Sequence, residues 1–249
     1  MNSFGRLFQI SMYGESHGNQ VGVLIDGCPA GLSISEEDFT KDLLRRKSGA
    51  KGTTPRIEDD KPVIVSGVFN GFTTGAPILI SFQNKNTKTS DYKELFTFPR
   101  PGHADFTGKL KYGGFNDYRG GGHFSGRLTL GLVAAGVIAK KLINQVQINA
   151  KLIEAGGEQD IENAINRAIQ NEDSIGGIVE CSVENLSVGL GEPFFDSVES
   201  LLSHAVFSIP AIKGIEFGSG FQAAKMFGSE HNDSIADSTG RTITNYAGG

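Results

Sequence analysis

The sequence FQISMY (residues 8–13), followed by GESHG (14–18) and VGVLID (21–26), decides the fold because it predicts two short strands joined by a glycine-flanked loop. The same criteria predict further strands at residues 63–69, 78–82, 150–155, 178–183 and 212–217. Helices are expected after an N-cap at Ser35, continuing to about residue 47, and at residues 128–143, 160–170 and 198–207. This alternation predicts one α+β domain spanning residues 1–249.

Composition limits the class of protein. With 249 residues, 38% of them hydrophobic and 20% charged, the chain is an ordinary globular sequence that can bury a substantial core. Its formal net charge of −5 disfavours nucleic acid as a partner. Two cysteines, Cys28 and Cys181, are too few for a disulfide framework or a metal cluster, which favours a reducing cytoplasm. The sequence indicates neither a membrane span of roughly 20 apolar residues nor a signal peptide.

Histidine occurs in three glycine-rich loops that predict a catalytic site. His17 lies in GESHG, His103 in RPGHAD (residues 100–105), and His123 in GGGHFSGR (120–127) just before a predicted helix. An imidazole beside polar partners can transfer protons near neutral pH, and glycine-rich loops before a helix commonly bind phosphate or flavin phosphate. Residues 84–118 are polar and weakly periodic, which is typical of an irregular functional segment.

GESHG also satisfies the G-x-S-x-G pattern of the α/β-hydrolase nucleophile elbow, with Ser16 as the nucleophile. The preceding strand is predicted, and the other histidines could complete a triad. An elbow requires a helix directly after the serine, however, whereas residues 21–27 are β-branched and strand-like. A triad histidine also normally comes from elsewhere in the fold, not from the next position as His17 does. A serine hydrolase therefore remains the weaker alternative.

Several collinear motifs resemble the chorismate synthase family, and they extend over essentially the whole chain. GESHG with LIDGCP (residues 24–29) resembles its N-terminal signature, and RPGHAD matches a second run of that family. The central signature is matched at Gly122, at SGR (125–127) and at Thr129, Val133 and Gly136. The remaining matches, in the expected order, are Arg45-Arg46, SGVFNGFTTG (66–75), GLGEP (189–193) and KGIE (213–216).

The resemblance implies an architecture and an activity. The fold would be a β-α-β sandwich, in which antiparallel sheets pack with helices, and the enzyme would be a homotetramer. The reaction would convert 5-enolpyruvylshikimate 3-phosphate to chorismate by a 1,4-elimination of phosphate and a ring proton. This is the last common step of aromatic amino-acid biosynthesis, and it requires reduced FMN although it involves no net redox change.

The resemblance also implies roles for individual residues. His17 would protonate the departing phosphate, and His103 would protonate or steady the anionic reduced flavin. The expected FMN contacts are His123, Phe124, Ser125, Pro210 and Ala211. The expected contacts to substrate or to a nicotinamide nucleotide, NADP, are Ser16, Arg46, Lys51, Arg100 and Arg127. Guanidinium groups suit these positions because their planar forks match phosphate and carboxylate oxygens.

Three departures from the family pattern affect these expectations. The family more often has Arg-Ser-Ser-Ala-Arg where this chain has HFSGR at residues 123–127, which removes a charge and inserts an aromatic ring. Lys51 stands at a position that is usually arginine, and an ammonium group cannot make the same bidentate contact. The family also normally continues beyond residue 249 with further flavin contacts. A folded, ligand-binding fragment with impaired turnover is therefore the third reading.

Overall fold

The computed structural model describes residues 2–54, 56, 58–87 and 97–247. The chain forms two compact units, Met1–Ser187 and Val188–Gly249. The single domain expected from the sequence remains a prediction. Among the described residues, no helix has both the length and the apolar character needed to cross a membrane.

The first unit contains a five-stranded antiparallel sheet and a short two-stranded ribbon. The strands are β1 (Ser3–Phe4), β2 (Gln9–Gly14), β3 (Gln20–Asp26), β4 (Val63–Ser66), β5 (Val68–Phe69), β6 (Phe72–Thr73) and β7 (Ile78–Gln83). The large sheet has the order β1-β2-β3-β7-β4, and β5 pairs with β6 in the ribbon. The strands predicted at residues 8–13, 21–26 and 78–82 are confirmed within one or two residues at each end.

The strand predicted at residues 63–69 is interrupted at Gly67. This glycine has a φ of +81°, and a Cβ built on it would lie 2.7 Å from the carbonyl oxygen of Pro77. The backbone therefore bends where only glycine fits, and β4 and β5 join different sheets.

Helix α3 (Thr129–Leu142) packs on one face of the large sheet, and α1 (Thr40–Arg46) packs against α3. Helix α2 (Asp105–Lys111) lies between them in sequence. The side chains of Val21, Val23 and Ile25 on β3 are fully buried beneath this layer. Gly131 allows α3 to approach closely, because a Cβ there would lie 2.5 Å from the Cε of Met12. The core therefore lies between α3 and β3.

Short 3₁₀ turns precede both core helices. Ser35 caps the turn Glu36–Phe39, and its backbone N–H donates to the Asp38 carboxylate at 2.8 Å, so the predicted N-cap is confirmed. Ser125 caps the turn Gly126–Leu128 that leads into α3. Helices thus occupy the two regions where the sequence predicts them.

The segment predicted to be irregular, residues 84–118, contains helix α2, so this part of the prediction is wrong. Asp105 begins α2, and lysines occupy its last turn, which suits the helix dipole. A Cβ built on Gly108 would lie 2.9 Å from Cε2 of Phe124, a tertiary proximity that short-range periodicity does not reveal. Residues 88–96 of the same segment lie outside the described residues.

The first unit ends with a two-stranded antiparallel sheet and a helix. The strands β8 (Gln147–Ala155) and β9 (Gly177–Glu184) flank α4 (Ile161–Gln170) in sequence. Asp160 caps α4 by accepting a hydrogen bond from the Asn163 backbone N–H at 3.2 Å. The predicted helix and both predicted strands are confirmed, although β8 begins three residues earlier than expected.

The second unit contains α5 (Val198–Val206) and the short α6 (Gly228–His231), with 3₁₀ turns at Phe194–Asp196 and Gly220–Lys225. The predicted helix at 198–207 is confirmed. The strand predicted at 212–217 is wrong, because these residues pair with no strand among the described ones and β propensity alone does not form a ladder. Helices and antiparallel sheets together confirm the α+β class.

Candidate active site

The first and third histidine loops contact each other directly. The loop at residues 14–18 joins β2 to β3, and its Ser16 backbone N–H donates to the Gly122 carbonyl oxygen at 3.0 Å. Gly120 has a φ of +58°, and a Cβ built on it would lie 2.8 Å from both Cδ2 and Nε2 of His17. The backbone at Gly120, the first residue of the triple glycine Gly120–Gly122, thus forms one wall beside the His17 imidazole.

His123 links the triple-glycine loop to strand β2 and to the residue before β1. Its Nδ1 lies 2.7 Å from the Gly14 carbonyl oxygen, and its Nε2 lies 3.2 Å from Oδ1 of Asn2. Both ring nitrogens therefore contact protein atoms, and the role of His123 as a flavin contact stays a prediction.

The second histidine loop adjoins the triple glycine through Arg100. Nε and Nη2 of Arg100 donate to the two carboxylate oxygens of Asp105 at 2.8 and 2.9 Å, which lowers the pKa of that carboxyl. A Cβ built on Gly121 would lie 3.8 Å from Nη2 of Arg100. His103 itself is exposed, with its Nδ1 3.1 Å from the Pro101 carbonyl oxygen. The structure therefore brings Arg100 to the cluster and leaves His103 on the surface of this chain.

A buried aspartate joins two of the predicted arginines. Asp60 accepts from Nη1 of Arg127 at 2.8 Å on one oxygen and from Nη1 of Arg46 at 3.3 Å on the other. The side chains of Asp60 and Arg127 are 5% and 6% exposed, whereas that of Arg46 is 22% exposed. Asp60 also has a φ of +53°, a backbone conformation that aspartate tolerates better than most residues. Arg46 thus presents the more accessible guanidinium.

Asn84 connects this pair of arginines to the His17 loop. Its Nδ2 donates to the carbonyl oxygens of Glu15 at 3.0 Å and Gly18 at 2.8 Å, and its Oδ1 accepts from Nε of Arg127. The positions of Arg127 and the His17 loop are therefore coupled through one amide side chain.

Arg56 and Glu58 complete the cluster. Nη1 of Arg56 donates to the Ser16 hydroxyl at 2.8 Å, and Nη2 donates to the Ser16 carbonyl oxygen at 3.1 Å. Nη2 also donates to Glu58 at 2.8 Å.

Sequence reasoning missed Arg56, Glu58, Asp60 and Asn84. The usable signal was the alternation of charges at residues 56, 58 and 60, since alternate residues of an extended chain share one side.

The environment of His17 opposes its protonation. Burial lowers the pKa of the imidazole, and the positive charges of Arg56 and Arg119 lower it further, while Asp117 and Glu58 act in the opposite direction. The ring is therefore mainly neutral at pH 7 in the free protein. An anion bound nearby would raise the pKa, because it favours the charged imidazolium.

The other predicted residues lie outside these contacts or serve local structure. Lys51 is exposed, and its Nζ lies 3.8 Å from the Glu162 carboxylate of α4. The Ser125 hydroxyl accepts the Arg127 backbone N–H at 3.3 Å as a helix cap. The Phe124 ring is partly exposed and lies 6.1 Å from that of Tyr112. Pro210 and Ala211 are exposed in a turn of the second unit.

The nucleophile elbow is not formed. Strand β3 begins at Gln20, where an elbow requires a helix, and the Ser16 hydroxyl accepts a hydrogen bond from an arginine. The serine-hydrolase interpretation is therefore wrong, and the cluster suits a phosphorylated anion and proton transfer.

Comparison with known proteins agrees with this class of site. The chorismate synthase family model matches residues 8–249. A chorismate synthase of Chitinophaga pinensis is 66% identical over 250 residues, covering 100% of this chain and 75% of the relative. A chorismate synthase of Thermococcus gammatolerans is 43% identical over 273 residues, covering 98% and 77%. A crystal structure of a chorismate synthase matches with a TM-score of 0.79 at 27% identity, covering 98% of this chain and 79% of the other. The chain belongs to the chorismate synthase family.

Proposed function

We propose that the cluster around His17 binds 5-enolpyruvylshikimate 3-phosphate and releases its phosphate to give chorismate. Family membership supports the overall reaction, a carbon–oxygen lyase step of aromatic amino-acid biosynthesis. The observation that carries the assignment to this cluster is that the Arg56 guanidinium contacts Ser16 beside His17. Arg127 and Arg100 reach the same loops through Asn84 and Gly121. In the reaction, the carbon–oxygen bond to phosphate breaks, a ring C–H is lost as a proton, and a diene forms.

Arg46 and Arg100 are the proposed contacts to the anionic substrate. The Arg46 guanidinium is partly accessible, and it is oriented by Asp60, by the Thr129 hydroxyl at 3.1 Å and by the Gly126 carbonyl oxygen at 3.2 Å. Arg100 is held in a bidentate pair with Asp105, which fixes its fork beside Gly121. Fixed guanidinium groups lose little entropy on binding phosphate, and they stabilise the negative charge that develops on the leaving group.

His17 is the proposed proton donor to the departing phosphate. In the free protein its pKa is lowered, so the ring is mainly neutral at pH 7. A bound phosphate would offset the positive charges of Arg56 and Arg119 and raise that pKa. The proton would then be taken up with the substrate and be available when the carbon–oxygen bond breaks.

The loop that contains the triple glycine fits a reduced flavin. A Cβ built on Gly121 would have no neighbour closer than 3.8 Å, so the loop leaves room beside its backbone, and the Phe124 ring is exposed next to it. His123, Phe124 and Ser125 of the first unit are proposed to contact FMN, with His103 as the proposed acid. The flavin contacts at Pro210 and Ala211 of the second unit are proposed from the family resemblance alone. Reduced FMN, when bound, supplies electron density transiently and recovers it, which the balanced reaction requires.

Further features of the proposal rest on family membership alone. These are a homotetrameric assembly, a cytoplasmic location, and a role of Arg46 or Lys51 in binding NADP. A turnover experiment with reduced FMN also tests whether the chain of 249 residues converts substrate or only binds ligand.

The experiment measures phosphate release and diene absorbance under anaerobic conditions with chemically reduced FMN and the phosphorylated substrate. We expect turnover by the unmodified chain and a strong loss in His17→Ala and in His103→Ala. His204→Ala, an exposed histidine on α5, serves as the control. Near-normal turnover in either variant would remove that histidine from the mechanism. Flavin perturbation without phosphate release would indicate a binding fragment.

A further inference from the structure

Arg56 makes an unusually complete set of contacts for a residue in an irregular segment. Three of its nitrogens donate hydrogen bonds, two of them to Ser16. One of these fixes the Ser16 side chain and the other fixes its backbone carbonyl. Because Ser16 and His17 are adjacent, the peptide group that leads into His17 is held by the same guanidinium.

Arg56 is itself anchored by a buried carboxylate. Oε1 of Glu58 accepts from Nε and Nη2 of Arg56 at 3.2 and 2.8 Å, and the Glu58 side chain is only 3% exposed. The backbone N–H groups of Lys85 and Asn86 each donate to Glu58 at 3.1 Å. Burial alone raises the pKa of the Glu58 carboxyl, but these hydrogen bonds outweigh it and leave the pKa below its ordinary value. The carboxylate is thus ionised and fixed.

We propose that Arg56 is a positioning residue of the active site, which holds Ser16 and thereby orients the His17 imidazole against the backbone of Gly120. The opposite wall supports this assignment, since Gly120 leaves no room for the ring to shift towards it. A ring confined between a fixed peptide and a glycine wall presents one nitrogen in one direction, which is what directed proton transfer needs. The proposal rests on the proposed role of His17.

The charge of Arg56 has a second effect on the same ring. The charged groups that face His17 are Arg56 and Arg119, which oppose protonation, and Asp117 and Glu58, which favour it. Arg119 is paired with Asp117 at 2.7 Å, so much of its charge is offset locally. Burial is the largest cause of the lowered His17 pKa, and the charge of Arg56 is the next largest although Glu58 offsets part of it, so Arg56 helps to keep the ring neutral until an anion arrives.

Two substitutions separate orientation from charge. Arg56→Gln removes both the positive charge and the fork, whereas Arg56→Lys keeps the charge but cannot donate to Ser16 and Glu58 with the same geometry. Arg167→Gln is the control, because Arg167 pairs with the partly exposed Glu158 in the same unit. The His17 titration is followed by NMR of the histidine-labelled full chain, with His17→Ala to assign its signal, and kcat and KM are measured alongside.

In Arg56→Gln we expect the His17 pKa to rise, because a neighbouring positive charge that opposes protonation is removed. In Arg56→Lys the titration should stay near that of the unmodified chain while kcat falls by about tenfold or more, as for a misplaced catalytic group. Arg167→Gln should change neither quantity.

Two results would overturn the proposal. One is a folded Arg56→Gln variant with an unchanged His17 titration, and the other is an Arg56→Lys variant with unchanged kcat. The lysine variant keeps the test valid if the glutamine variant does not fold. Failure of the proposed function would instead appear as absent turnover in the unmodified chain, which leaves the titration result intact.

Discussion

Replacement of Asp60 by asparagine should destabilise the protein more than any other single neutralisation of a carboxylate in the cluster. Asp60 accepts from two guanidinium groups, and its side chain is 5% exposed. Removing one partner of a buried ion pair typically costs about 3–5 kcal/mol, because the remaining charge stays desolvated. Asparagine keeps one carbonyl oxygen and tolerates the positive φ of this residue. We therefore expect Asp60→Asn to lower the free energy of unfolding by about 3 kcal/mol, the low end of this range.

The neighbouring Asp59 provides a matched control. Asp59 pairs with Lys85 at 2.7 Å, but both side chains are more than 60% exposed. Asp59→Asn should therefore change the free energy of unfolding by less than about 0.5 kcal/mol. In a chain of this length about 1 kcal/mol shifts Tm by 2–4 °C, so the Asp60 variant should melt roughly 9 °C lower. Calorimetry and urea titration at pH 7 measure both variants.

Inorganic phosphate should restore stability to the Asp60→Asn variant more than it stabilises the unmodified chain. Two guanidinium groups without their carboxylate form a stronger anion site, and a ligand at 100 times its Kd stabilises the folded state by about 2.7 kcal/mol. Inorganic phosphate should therefore raise the Tm of Asp60→Asn more than that of the unmodified chain. Equal stabilities of the Asp59 and Asp60 variants, or equal phosphate effects on the unmodified chain and the Asp60 variant, would refute the reasoning.

Three further predictions concern the same unit. Gly120→Ala should destabilise the protein more than Gly121→Ala. Both glycines have a positive φ, which costs a substituted residue about 1–2 kcal/mol, but only alanine at position 120 would place a Cβ 2.8 Å from His17. Equal urea midpoints of the two variants would contradict this prediction. The lowered pKa of His17 means that the unfolded state binds more protons below about pH 6.5, so stability should fall as pH drops through that value. His17→Gln should remove this decline, as measured by urea midpoints at pH 7.5 and 5.5, and a persisting decline would assign it to another group. Lys51→Met should leave Tm nearly unchanged, because its pair with Glu162 is exposed; a calorimetric shift of several degrees would show that the pair is structurally important.

Local patterns predicted the regular elements well where one face of an element is buried. The strands around the GESHG loop and helix α3 follow directly from their hydrophobic residues, because burial and periodicity agree there. The interruption at Gly67 and the absence of a strand at 212–217 depend on neighbouring chain segments. A ladder partner and a close carbonyl group cannot be recognised within a short window.

The site was predictable only in part. The histidine loops were found because histidine is unusual in glycine-rich loops, whereas Arg46, Arg100 and Arg127 were found through the resemblance to the family motifs. The contacts that hold them, from Arg56 to Ser16 and from Asp60 to Arg127, join residues 40 and 67 positions apart. Such pairings arise only when the sheet brings the segments together, so a polar residue in an irregular segment gave no sign of its partner.

The boundary beside His17 includes the main-chain atoms of Gly120, and Gly121 and Gly122 continue the same turn, so exchanging side chains cannot reshape it gradually. Substitution by any other amino acid either collides with the imidazole or Asp117, or imposes an unfavourable dihedral angle. Adaptation of this enzyme to altered ligands should therefore proceed through the surrounding polar residues, with the three consecutive glycines remaining fixed.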